Sequence, residues 1–166
     1  MHFDLKPISV ESIPEALAKV ERYRLLNEPS HAESICLDIL TIAPGHQQAL
    51  ISLLLARTDQ FGSEMTVAKA REVLSQIKSD YERAYYAGII SERNAHAHLH
   101  QGGPGSASIA YHALREAMEH FERAEGLASP GNDDAILRWN TCARVIMRNP
   151  EIRPLPYEAL QPITGE

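Results

Sequence analysis

Apolar residues recur along this chain at the three-to-four-residue spacing of helices, in blocks cut by proline and glycine. Ile13, Leu17, Val20 and Leu25 follow this spacing loosely, behind the capping box Ser12-Ile13-Pro14-Glu15, and predict a first helix over residues 13–27. Asn27-Glu28-Pro29 breaks it, and a second capping box, Ser30-His31-Ala32-Glu33, opens a helix that runs to about Ile42 and stops at Ala43-Pro44-Gly45. Residues 46–59 carry Leu50, Ile51, Leu53, Leu54 and Leu55; a helix apolar nearly all round is central, or one of its faces binds something. After the turn Phe61-Gly62-Ser63, a fourth helix covers about 64–77. The capping box Ser79-Asp80-Tyr81-Glu82 starts a fifth, which extends to about His100. Gly102, Gly103, Pro104 and Gly105 end it. A sixth helix runs over 106–127 to Ala128-Ser129-Pro130-Gly131, and Asn132 caps a seventh at about 133–148. Prolines at 150, 154, 156 and 162 predict an extended tail over 149–166.

One pattern recurs near helix ends. Ala32-x3-Cys36-x2-Ile39 is echoed by Ala70-x3-Leu74-x2-Ile77 and by Ala117-x3-Phe121-x2-Ala124. The small residue admits a neighbouring helix, and the residues four and seven positions on share its face. Recurrence at spacings of 38 and 47 residues predicts stacked helical hairpins, whose default task is holding a partner.

Residues 13–46 resemble one tetratricopeptide repeat, a helix-turn-helix unit of about 34 residues. The matching positions are Ala16, Tyr23, Ala32 and Pro44, with Cys36 standing where the family has an aromatic. Residues 47–78 resemble a diverged second unit, and residues 81–130 a third, with Gly88 after Tyr85 and Tyr86 and then Ala117, Phe121, Ala124 and Pro130. The third carries roughly 17 extra residues between Gly88 and Ala117 relative to the usual repeat. The resemblance implies an all-α fold: a right-handed α-solenoid of about three hairpins over 1–148, closed by the seventh helix as a cap and followed by the tail. It also implies a concave groove lined by the first helix of each repeat. That register points Leu17, Glu21 and Arg24 into the groove, then Gln48, Ile51 and Leu55, then Glu82, Tyr85, Tyr86 and Ile89. The family's clamp for a terminal carboxylate needs Lys and Asn where this chain has Leu17 and Glu21, so that role is not expected. An apolar strip with aromatic edges suits an amphipathic helix or an apolar peptide. Ile51, Leu55 and Ile89 equally suit an ordinary core.

Composition narrows the classes. The formal charge is −6 with both signs interspersed, and without a basic run nucleic-acid binding is not expected. No apolar run approaches about 18 residues, so no membrane span is predicted. The first residues lack the charged-then-apolar order of a secretory signal. Cys36 and Cys142 fall inside helices and read as buried reduced thiols, which fits a cytoplasmic protein.

Histidine is the other candidate chemistry. In Ala95-His96-Ala97-His98-Leu99-His100, His96 and His100 share a helix face while His98 points nearly opposite. His112 on the returning helix could join them, with Glu92 or Glu116, in a metal site. The plainer reading is a solvated cluster at a helix C-terminus. The Gly102–Gly105 loop lacks the Lys-Ser/Thr ending of a phosphate loop and reads as a linker. Asp133 and Asp134 fit a helix's first turn without catalysis. In the tail, Ile152, Leu155, Tyr157, Leu160 and Ile163 are apolar enough to fold back rather than stay solvated; recognition by an aromatic groove and a disordered end are the other readings.

The expected function is therefore non-catalytic: an adaptor, scaffold or assembly factor without a cofactor, binding a protein or peptide in its groove. The alternatives are a histidine-based metal binder using His96, His100 and His112, and a structural protein that assembles with itself.

Overall fold

A computed structural model describes residues 1–63 and 65–155. The tail residues Pro156, Tyr157, Leu160, Pro162 and Ile163, and Glu64 at the expected start of the fourth helix, lie outside them. The described residues form seven α-helices and no strand: α1 (Ile13–Leu25), α2 (Pro29–Ile42), α3 (Gln47–Thr58), α4 (Val67–Leu74), α5 (Asp80–Gln101), α6 (Ser106–Leu127) and α7 (Asp134–Arg148). The chain is all-α, as the spacing predicts. It divides into two units, Met1–Ser79 and the residues from Asp80 onward.

In the first unit each helix packs chiefly on its neighbour in sequence: α1 on α2, α2 on α3, α3 on α4. The recurring pattern marks buried faces. Ala32, Cys36 and Ile39 are fully buried on α2, and Ala70 and Ile77 are buried at and after α4, while Leu74 of the second copy is only half-buried. Leu50, Leu53 and Leu54 place α3 at the centre, as its all-round apolar character requires. Ile13, Ile39 and Ala49 form a cluster onto which Ile8, Ala16, Leu17 and Ile35 pack. Polar groups pin the helices together: Arg57 Nε donates to Glu33 Oε1 at 3.0 Å and Gln60 Nε2 to Glu33 Oε2 at 2.7 Å. Gln47 Oε1 accepts from the Lys78 amide at 2.8 Å, tying the start of α3 to the chain beyond α4.

Two expected capping boxes do not form. Ser12 Oγ donates to the Ser9 carbonyl at 2.7 Å, closing a 3-10 turn at Val10–Ser12, and caps no α1 amide. The chain breaks at Asn27-Glu28 as expected, with Asn27 at φ 58°, but Pro29 is the first residue of α2 and Ser30 lies inside the helix. A proline at the first helical position loses no hydrogen bond, so the helix starts earlier than a serine cap implies. The fourth helix starts later than expected, because Thr66 caps it by accepting from the Lys69 amide, and it ends at Leu74.

In the second unit α5 and α6 form a long antiparallel hairpin, and α7 packs on α6. The connecting loop holds Gly102, Gly103 and Gly105 at φ of 68°, 98° and 80°, the left-handed region that side chains resist. Small residues line the helix contact: Ala84, Gly88 and Ala95 on α5, and Ala110, Ala113, Ala117 and Ala124 on α6 are buried. A Cβ on Gly88 would lie 2.5 Å from a ring carbon of Phe121, so the helices pack through an absent side chain. Before α7, Asn132 Oδ1 accepts from the Asp134 amide at 3.2 Å. After α7 the chain turns back and buries Ile152, whereas Leu155 stays exposed.

Both cysteines are free and buried, one in each unit. Burial pushes each thiol from 9.0 up to about 12; Glu33 adds to the rise at Cys36 and Arg24 opposes it, while Glu92 adds to it at Cys142. A thiol raised in the folded state contributes stability below its unfolded pKa and loses it as pH climbs. Stability is therefore expected to fall above about pH 9, by about 1.4 kcal/mol per pH unit per thiol, until about pH 12. Urea titrations at pH 8 and pH 10 check the slope. In the same setting, native protein is expected to leave Ellman's reagent almost unreacted and unfolded protein to react at both sites.

Candidate functional site

The ten positions assigned to a partner groove divide by environment. In the first unit Glu21 and Gln48 are exposed, and Ile51 and Leu55 are half-buried on α3. Leu17 is half-buried and packs against the Ile13–Ile39–Ala49 cluster. Arg24 Nε sits 2.6 Å from Asp59 Oδ2, and both side chains are mostly buried, so this guanidinium is committed to holding α1 against the end of α3. In the second unit Glu82, Tyr85 and Tyr86 are half-buried. The Tyr85 ring lies 5.8 Å from Tyr81, 5.3 Å from Tyr86 and 5.8 Å from Phe121, an aromatic ladder along the start of α5. Ile89 is 1 % exposed. It is a core residue and not a groove residue, because that part of α5 is buried on several successive positions.

The histidines do not converge. His96, His100 and His112 are exposed, and His112 sets its ring edge-on to Tyr111 at 5.4 Å. Among the described residues no three His, Cys, Asp or Glu side chains stand where they could hold a metal ion. Glu92, considered as a further ligand, is buried and faces Arg138, whose Nη1 lies 3.4–3.5 Å from both carboxylate oxygens. Burial opposes the charge on Arg138, but the Tyr85 hydroxyl and the Glu92 carboxylate outweigh it and hold the guanidinium above its ordinary pKa.

Two crevices are found that sequence spacing did not single out. One, of about 230 Å³, lies between α1 and α2, walled by Ile8, Ala16 and Ile35 and rimmed by Glu15, Lys19 and Asp38; Lys19 Nζ pairs with Glu15 at 3.0 Å. The other, of about 260 Å³, lies between α6 and α7 and is lined by Glu122, Glu125, Ile136 and Trp139. Trp139 Nε1 donates to Glu122 Oε1 at 2.9 Å. Each helix gives this crevice a pair three residues apart, a spacing present in the sequence, but nothing local tells which pairs will face each other.

No protein-family model matches the chain, and no curated protein or solved structure is significantly similar to it. No helix among the described residues is long and apolar enough to cross a membrane.

Proposed function

We propose that the chain is a non-catalytic interaction module of the helical-hairpin repeat class, an adaptor or assembly factor that holds an amphipathic helix or apolar peptide of a partner protein. Its hairpins follow the arrangement of a tetratricopeptide-like solenoid in this reading. The observation that carries it is the incomplete burial of apolar and aromatic side chains on the helices assigned to the groove: Ile51 and Leu55 on α3, Tyr85 and Tyr86 on α5. Water-facing apolar area of this kind is stabilised by a partner that covers it.

Glu21 and Gln48 are exposed and bear no core load, so Glu21→Arg with Gln48→Arg is the variant that probes the surface without unfolding it. Affinity capture from native lysate with quantitative mass spectrometry is expected to show a protein that the double variant retains at least about tenfold less well, a loss equivalent to about 1.4 kcal/mol. Capture of the same set of proteins by both forms would reject this surface. The self-assembly alternative predicts a sedimentation coefficient that rises with concentration; a constant monomer value rejects it.

A further inference from the structure

The α6–α7 crevice lies on other helices than the proposed groove and calls for a ligand of different chemistry. Its floor and walls come from two pairs of side chains on antiparallel neighbours: Glu122 and Glu125 from α6, Ile136 and Trp139 from α7. The indole N–H is spent on Glu122 Oε1, which anchors the ring edge and orients the carboxylate. The second Glu122 oxygen and the Glu125 carboxylate remain to receive a donor. The described lining residues carry two negative charges and no base. The arginines beside them in sequence are engaged elsewhere: Arg123 reaches His120, and Arg138 pairs with Glu92. Two carboxylates do not make a metal cage, and no metal-holding group exists among the described residues. A tryptophan face beside carboxylates matches one side chain above others. A guanidinium is planar, stacks on an indole, and donates in a fork to carboxylate oxygens. The space, about 260 Å³, accommodates such a side chain with its aliphatic stem against Ile136.

We propose that this crevice is a docking site for an arginine side chain of a partner peptide. Charge complementarity supports the assignment: the site is acidic on a chain of net charge −6. The occupant is thus the guanidinium and aliphatic stem of one arginine presented by a peptide. This inference stands independently of the groove reading, because the two surfaces share no residue.

Trp139 is the only tryptophan of the chain, so its emission reports on the crevice directly. The experiment titrates the full chain with the peptide acetyl-Ala-Leu-Arg-Leu-Ala-amide and with the same peptide carrying citrulline, which keeps the shape and removes the charge. The expected result is a saturable change in emission with an apparent Kd below about 1 mM for the arginine peptide, weakened about tenfold or more for citrulline. Glu122→Gln with Glu125→Gln, both at exposed positions, is expected to weaken it about tenfold while leaving the thermal melt in place. The Glu21→Arg, Gln48→Arg variant is expected to bind the peptide as the natural chain does, so a failed groove and a failed crevice give different results. No saturable change up to about 5 mM, equal affinity for citrulline, or full affinity in the doubly substituted crevice would each overturn the proposal.

Discussion

Phe121→Ala is expected to destabilise the second unit by about 3–5 kcal/mol, seen as a lower urea midpoint of the Trp139 emission transition. The ring is fully buried and borders Tyr85, so its removal leaves a void that neighbouring alanines are too short to fill. Its edge occupies the space above Gly88, where a Cβ would meet ring carbons at 2.5–2.8 Å. Gly88→Ala therefore sets two effects against each other. Alanine gains about 1 kcal/mol of helix propensity over glycine. Pushing a methyl into a ring with nowhere to go costs about 1–3 kcal/mol, and the cost sits at the upper end because the contact falls below any normal separation. A net loss of about 1–2 kcal/mol is expected. The pair is coupled: Gly88→Ala is expected to be nearly neutral or stabilising once Phe121 is leucine. If Gly88→Ala alone raises the midpoint, propensity has won and the close packing of α5 on α6 is refuted.

Arg138→Met is expected to cost about 2–3 kcal/mol by the same measurement. Glu92 is 3 % exposed, and Arg138 is the cation beside it. Removing the cation leaves a buried carboxylate without compensation, while the methionine keeps the aliphatic bulk. The cost falls short of the about 3–5 kcal/mol of a fully enclosed pair, because the Arg138 side chain is 39 % exposed and water can replace part of it. Adding Glu92→Leu to Arg138→Met is expected to recover most of the loss, since two apolar side chains of similar size need no charge partner. A double variant as unstable as the single one would mean that Arg138 acts through packing alone.

The helices were legible in the sequence, and the long ones most clearly. The end of α5 and the start of α6 follow from Gly102, Gly103, Pro104 and Gly105, whose effect on the backbone is local and independent of the rest of the chain. The recurring small-large pattern located Cys36, Ile39, Phe121 and Ala124 in the core, because a face of fixed period must be buried somewhere whatever it packs against. The cap assignment at Ser12 failed because its side chain bonds a carbonyl in the turn before it, and that at Ser30 because Pro29 already opens the helix. Within the expected groove, periodicity put Ile89 and Tyr86 on neighbouring positions of one helix, but which of them is covered was set by the residues packed around α5. Arg24 was assigned to a partner and is held by Asp59, a residue 35 positions away. The crevice at Trp139 likewise joins residues 17 apart on two helices. The sequence by itself determined which segments are helical and which face of each is apolar, since spacing, proline and glycine act within a few residues. Only the tertiary structure decided which polar and aromatic side chains meet, because a contact between helices depends on their relative rotation and crossing, which no single helix encodes.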